Sequence, residues 1–175
     1  LNLSGGKKVD VWAARISYVG ESGWEIYFNN NKDDGLALYD SLLEVGVVPV
    51  GIETYANSRR LEKSFRLQGA DLETEYTAIE AAIQRPLVKE ADFHGKAAHL
   101  AHREEDPCAI LCTMTLDDLN VSGKTRYPVG ISPIIDPATG EVPIDSKGRR
   151  SYTTGMSYCP SLKKFVVMGY LPKEI

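Results

Sequence analysis

Cysteine and histidine are scarce here, three of each in 175 residues. Cys108, Cys112 and Cys159 are too few and too irregularly spaced for a disulfide framework. Cys108 and Cys112 lie in an apolar run, and positions four apart on a strand share a face, so buried thiols and a reducing compartment are expected. His94, His99 and His102 have no cysteine nearby, and the acidic residues beside them belong to a solvated charged run. Surface histidines are therefore expected, and no metal. Nothing approaches the roughly 18 consecutive apolar residues that cross a bilayer, so no membrane partner is expected. A formal net charge of −4 argues against a surface that follows a phosphate backbone, which excludes nucleic acid as a partner. The basic pairs Lys7-Lys8, Arg149-Arg150 and Lys163-Lys164 are read as solvated. The opening lacks Met, and its polar, glycine-containing first ten residues are no signal peptide, so the chain reads as a fragment.

What is present is ordinary globular composition, 43% hydrophobic and 25% charged. Residues 9–17 alternate around Trp12, Ala14 and Ile16 as a strand does, 20–23 form a glycine-bounded turn, and 24–28 read as the returning strand of a hairpin. Leu36, Tyr39, Leu42 and Leu43 follow helical spacing, with Gly46 placed to end that helix. A short strand is expected at 47–50, helices at 53–65, 77–83 and 92–100 (the last capped by Asp92), and strand again at 87–88. Residues 102–107 are charged, end in proline and suggest a linker. Beyond it the pattern is β, with short strands expected at 109–116, 127–131, 141–144, 150–156 and 165–170. The expectation is an α+β piece, 1–104, followed by a small β-barrel, 105–175.

The hairpin carries the first candidate chemistry. Glu25 stands between Trp24 and Ile26, where an unpaired carboxylate is costly to bury. A ligand offering two adjacent N–H donors, such as the amino-pyrimidinone edge of a pterin, would satisfy both its oxygens, and Tyr18 across the turn could pack on the same ligand. Spacing alone favours the other reading, a solvated edge glutamate paired with a lysine. Arg60 and Glu62 are read as ties between their helix and neighbouring segments, and Glu21 as a turn residue.

Longer stretches carry a resemblance. R-I-S-Y-V-G-E-S-G-W-E-I-Y at 15–27 is similar to the R-x-x-[YF]-[TV]-G-E-x-G-[FW]-E-[IL] motif of the glycine-cleavage T-protein (aminomethyltransferase) family. S-R-R-L-E-K-S-F-R-L-Q-G-A-D at 58–71 resembles its S-L-R-L-E segment and following G-x-D, and I-E-A-A-I at 79–83 its L-E-A-G-L. A-D-F-H-G-K at 91–96 resembles D-F-I-G-K, and the stretches at 155–164 and 168–172 its S-P-[ST]-L-K-K and [ML]-G-Y-[VL]-P. The R-L-E-K-S-F-R-L-Q variant, with D-P-A-T-G-E and G-R-R-S-Y-T-T later, most resembles the folate-binding half of FAD-dependent dimethylglycine and sarcosine dehydrogenases.

The resemblance implies a partial aminomethyltransferase folate-binding domain followed by the family's C-terminal β-barrel, with tetrahydrofolate as the cofactor that accepts a one-carbon unit. Glu25 matches the glutamate that binds the pterin ring, Tyr18 an aromatic of the same pocket, and Ile26 and Tyr27 continue that strand beside the ligand. Arg85 falls near a position where relatives often carry Trp or Tyr, with a guanidinium available to stack instead. The family's folate-tail arginine aligns with Ala56. The catalytic acid is expected upstream of Leu1, so this chain is expected to hold none and to be inactive alone, with the N-terminal half of the same protein as its partner. No G-x-G-x-x-G follows a strand, so FAD is expected only in an upstream domain. The expected compartment is the cytoplasm, or the mitochondrial matrix in a eukaryote. Two other functions share this fold: a binding or assembly module, whose K-G-C-Y-x-G-Q motif is missing here, and a folate-dependent demethylase.

Overall fold

The computed structural model describes residues 1–29, 32–121, 123–125 and 130–175. The fold is α+β. Strands β1 (Val11–Ala14) and β2 (Glu25–Phe28) pair antiparallel, with Trp12 opposite Tyr27 and Ala14 opposite Glu25. β1 stops short of its alternating pattern because the Ile16 N–H turns back to the Ala14 carbonyl, 3.0 Å away, and bends the chain. Helix α1 (Lys32–Glu44) ends at its expected glycine. Gly46 has φ +88°, its N–H donates to Leu43 and that of Val47 to Leu42, the paired bonds of a Schellman cap. Residues 47–50 are not the expected strand: Val47, Val48 and Val50 are exposed, and β-branching alone cannot make a strand without a pairing neighbour.

The helix expected over 53–65 forms as a π turn, Thr54–Arg59, running into one α turn, α2 (Arg60–Glu62), and stops where Ser64 takes a positive φ. Residues 77–83 are hydrogen-bonded turns rather than a helix. Thr77 and Glu80 cap them reciprocally, and Ala82 at φ +53° ends them before a second turn can form. No strand forms at 87–88. Helix α3 (Lys96–Glu104) starts later than expected, after Gly95 at φ +82° and without a cap from Asp92, and runs into the stretch read as a linker.

Strands β3 (Ala109–Leu116), β6 (Thr153–Cys159) and β7 (Lys164–Pro172) make an antiparallel sheet in the order β3-β7-β6, and β4 (Asn120–Val121) pairs with β5 (Lys124–Thr125). The strand expected at 127–131 falls largely outside the described residues. Residues 141–144 contribute only a bridge from Ile144 to Arg150, because the flanking turns consume the backbone bonds a ladder needs. The expected strand at 150–156 lies further along, as β6.

One core joins both pieces: Leu61 and Ala81 pack with Ala109, Leu111, Cys159, Val166, Met168 and Tyr170. Cys159 is buried, its thiol pushed up to about 11 chiefly by burial. Cys108 and Cys112 are only half-buried, contrary to expectation, because Ala109 and Leu111 take the core face of β3. Within the core Arg60 pairs with Asp71 at 2.5 Å, and both side chains are almost wholly excluded from solvent. Arg149 is not a solvated cation: it bonds Glu80 at 2.5 Å and Asp145 at 2.7 Å, lies over the Tyr76 ring, and so clamps the 77–83 turns to the loop before β6.

Candidate functional site

The loop end of the hairpin is fastened to the 54–63 segment. At its tip Glu21 pairs with Arg59, and the backbone at Gly20 lies against the aliphatic part of Lys63. Arg59 also bonds Glu62 and the Ser161 hydroxyl, while Glu62 accepts the Ser161 N–H at 2.8 Å. Arg60 and Glu62 are thus ties, as expected, and Glu21 is an ion-pair partner rather than a turn residue alone. Before the tip, Tyr18 donates to the Arg66 carbonyl at 2.7 Å, and its ring lies 6.0 Å from that of Phe65.

Glu25 opens β2 at the loop end of the ribbon, opposite Ala14, and is half-buried. Side chains alternate along a strand, so Glu25 and Tyr27 share one face with Trp12, while Ile26 lies on the other. The Tyr27 hydroxyl donates to Glu25 Oε2, and its ring lies 5.0 Å from that of Trp12. From the π turn, the Tyr55 hydroxyl approaches Glu25 Oε1 at 3.5 Å, and its ring lies 5.8 Å from that of Tyr18. A carboxylate therefore sits between two phenols beside an aromatic wall. Hydrogen bonding to Glu25 raises the Tyr27 pKa, and burial followed by the Glu25 charge raises that of Tyr55, so both remain protonated donors at neutral pH. Burial likewise raises the Tyr18 pKa.

Glu25, Tyr18 and Tyr27 are brought together, with Tyr55 as the link between Tyr18 and Glu25 that sequence reasoning missed. Glu25 is held by phenols, not by a lysine. Arg85 lines a separate, open cleft of about 400 Å³ with Leu87, Lys89, Phe93 and His99, its carbonyl held by Arg103. What this arrangement can do is accept N–H donors at a fixed carboxylate edge, next to a surface suited to a flat ring. Among the described residues no group of His, Cys, Asp and Glu could hold a metal ion.

Residues 5–90 match the family described as the GCVT N-terminal domain. Human mitochondrial dimethylglycine dehydrogenase is 31% identical over 182 residues, covering 95% of this chain and 18% of that protein. The aminomethyltransferase of Koribacter versatilis is 31% identical over 173 residues, covering 94% of this chain and 41% of that one. The crystal structure of the glycine cleavage system aminomethyltransferase T from Bartonella henselae is similar with a TM-score of 0.70 at 28% identity, over 93% of this chain and 42% of that one. The chain belongs to the glycine-cleavage T-protein family. As a T-protein relative it has the aminomethyltransferase fold over the matched portion, and it spans less than half the length of each of these proteins. No helix among its described residues is long and apolar enough to cross a membrane.

Proposed function

We propose that this T-protein-family chain is the tetrahydrofolate-binding part of a one-carbon transfer enzyme, in a protein of the dimethylglycine or sarcosine dehydrogenase type. The observation that carries the reading is Glu25: a half-buried carboxylate on the return strand, approached by the Tyr55 phenol whose ring lies against that of Tyr18, with each oxygen retaining lone-pair capacity. That arrangement fits the adjacent N–H donors and flat face of a pterin. When bound, the reduced folate supplies the nitrogen that accepts the one-carbon unit. Glu25 fixes the ring's register, Tyr18 and Tyr27 bound the pocket, and Ile26 packs the strand's opposite face. Arg85 is the remoter candidate, a guanidinium able to stack within its own cleft. Holding the acceptor nitrogen in place would supply much of the rate gain, with proton transfer left to an acid outside residues 1–175.

The partner is the N-terminal half of the same protein. Trp12 and Trp24, 65% and 64% exposed, and Val48 and Ile52, each 76% exposed, offer it apolar area that isolated globular surfaces rarely show. On this reading residues 1–104 complete the folate-binding domain, 105–175 form the C-terminal barrel domain, any FAD belongs to an upstream domain, and a eukaryotic version works in the mitochondrial matrix.

Calorimetric titration of the full-length protein with tetrahydrofolate tests this. Replacing Glu25 by Ala removes two charge-assisted bonds and should weaken binding about 10- to 100-fold. Equal affinity in both proteins would take Glu25 out of the site.

A further inference from the structure

We propose that Tyr55 is a specificity-determining residue, one that holds the Glu25 carboxylate in the orientation that distinguishes a ring edge with two N–H donors from an edge with one. The inference rests on the folate-site reading and deepens it. An ionised carboxylate is an acceptor only, with about four lone-pair positions on its two oxygens. Tyr27 takes one position on Oε2, and it reaches from the same strand, two residues along. Nothing else on the hairpin fixes the rotation of the carboxylate about its last bond, a torsion that is intrinsically broad. Tyr55 supplies the second point, reaching Oε1 from a different element. At 3.5 Å this contact lies at the long limit of a hydrogen bond.

Two phenols on two different oxygens define the plane of the carboxylate. They leave lone-pair capacity on each oxygen, so that both oxygens can still accept from paired N–H donors.

The π turn is what makes this reach possible. Its wider winding is confined to Thr54–Arg59. Its downstream end is pinned by the Arg59 ties, by the buried Arg60–Asp71 pair and by the Cys159 thiol on the Ser58 carbonyl. Tyr55 therefore sits on a braced segment, with its ring against Tyr18 and its hydroxyl at Glu25. π turns recur at functional sites, and this one carries a phenol to the single half-buried carboxylate of the ribbon.

A ligand presenting N–H and N–H along its edge satisfies both oxygens. One presenting N–H and C=O sets an acceptor against an acceptor.

The test compares 2-amino-4-oxopteridine with 2,4-dioxopteridine, which replaces one donor by a carbonyl. Fluorescence titration of both probes on the full-length protein gives an affinity ratio that is insensitive to any loss of folded protein. Wild type should prefer the amino compound about tenfold or more. Tyr55→Phe keeps the ring but removes the hydroxyl. It should lower affinity for the amino compound about fivefold while leaving the dioxo compound unchanged. A merely structural role would weaken both probes equally and preserve the ratio, and that result overturns the inference. Glu25→Gln separates the two readings. If it loses the amino compound while Tyr55→Phe keeps the wild-type ratio, the folate site stands and the role of Tyr55 falls. If Glu25→Gln binds both probes like wild type, the proposed function falls and this inference with it.

Discussion

Glu80 is almost fully enclosed, yet nothing about it is unsatisfied: it takes two nitrogens of Arg149 and the Thr77 N–H. Burial works against its charge, but these donors together outweigh it and hold its pKa at about 2, against an ordinary 4.5. A folded-state pKa below the unfolded one means the ionised group stabilises the fold above pH 4.5. That contribution, on the order of 3 kcal/mol, is lost as pH falls from there towards 2. Thermal melts should show the wild-type Tm dropping across that interval and the Glu80→Gln protein, already less stable at neutral pH, dropping less. Parallel profiles would contradict the assignment. The Arg149 contact was not legible in the sequence, where Arg149 and Arg150 read as a solvated pair. Its partner lies 69 positions away, and nothing local marks which cation will be enclosed.

Among the elements, β6 and the α2 segment meet without room to spare. A Cβ added at Gly155 would lie 2.8 Å from Arg60 Nη2 and 3.4 Å from Asp71 Oδ1, both parts of a buried ion pair that cannot swing aside. Gly155→Ala should therefore cost about 1–3 kcal/mol, read as a lower urea midpoint with unchanged slope. An unchanged midpoint would mean the pair yields more easily than its burial implies. The elements legible in the sequence were the hairpin and the Schellman end of α1, fixed by neighbours in the chain, and the strands β3 and β7, whose apolar runs mark them although they pair with each other across a long separation. The elements misread lacked the pairing neighbour their composition suited or turned on backbone detail. Residues 47–50 have strand composition but no strand beside them, 77–83 are cut short by Ala82 at positive φ, and the π winding of 54–59 has no periodicity of its own. The site was legible in the same measure. Glu25, Tyr18 and Tyr27 lie within one hairpin, whereas Tyr55 comes from the π turn, off the face that helical spacing of Ile52, Ala56, Arg60 and Lys63 would assign.

For the molecule as a whole, the two pieces read from the sequence share one core, so the hairpin and its helical brace stand on the same foundation as the C-terminal sheet. The Arg59 ties reach from the hairpin tip through Ser161 to the β6–β7 turn, which connects the candidate site mechanically to that sheet. Trp12 lies on the ribbon and Trp24 immediately precedes β2, both exposed, so the proposed covering half would close over the ribbon. The account stands or falls on Glu25. Its most direct test is a structure of the full-length protein crystallised with a reduced pteroyl compound. The expected result is the pteridine's paired N–H edge at hydrogen-bond distance from both Glu25 oxygens, with the ring beside Tyr18 and Tyr55. A bound pteridine elsewhere, with the Glu25 carboxylate turned to bulk water, would contradict it.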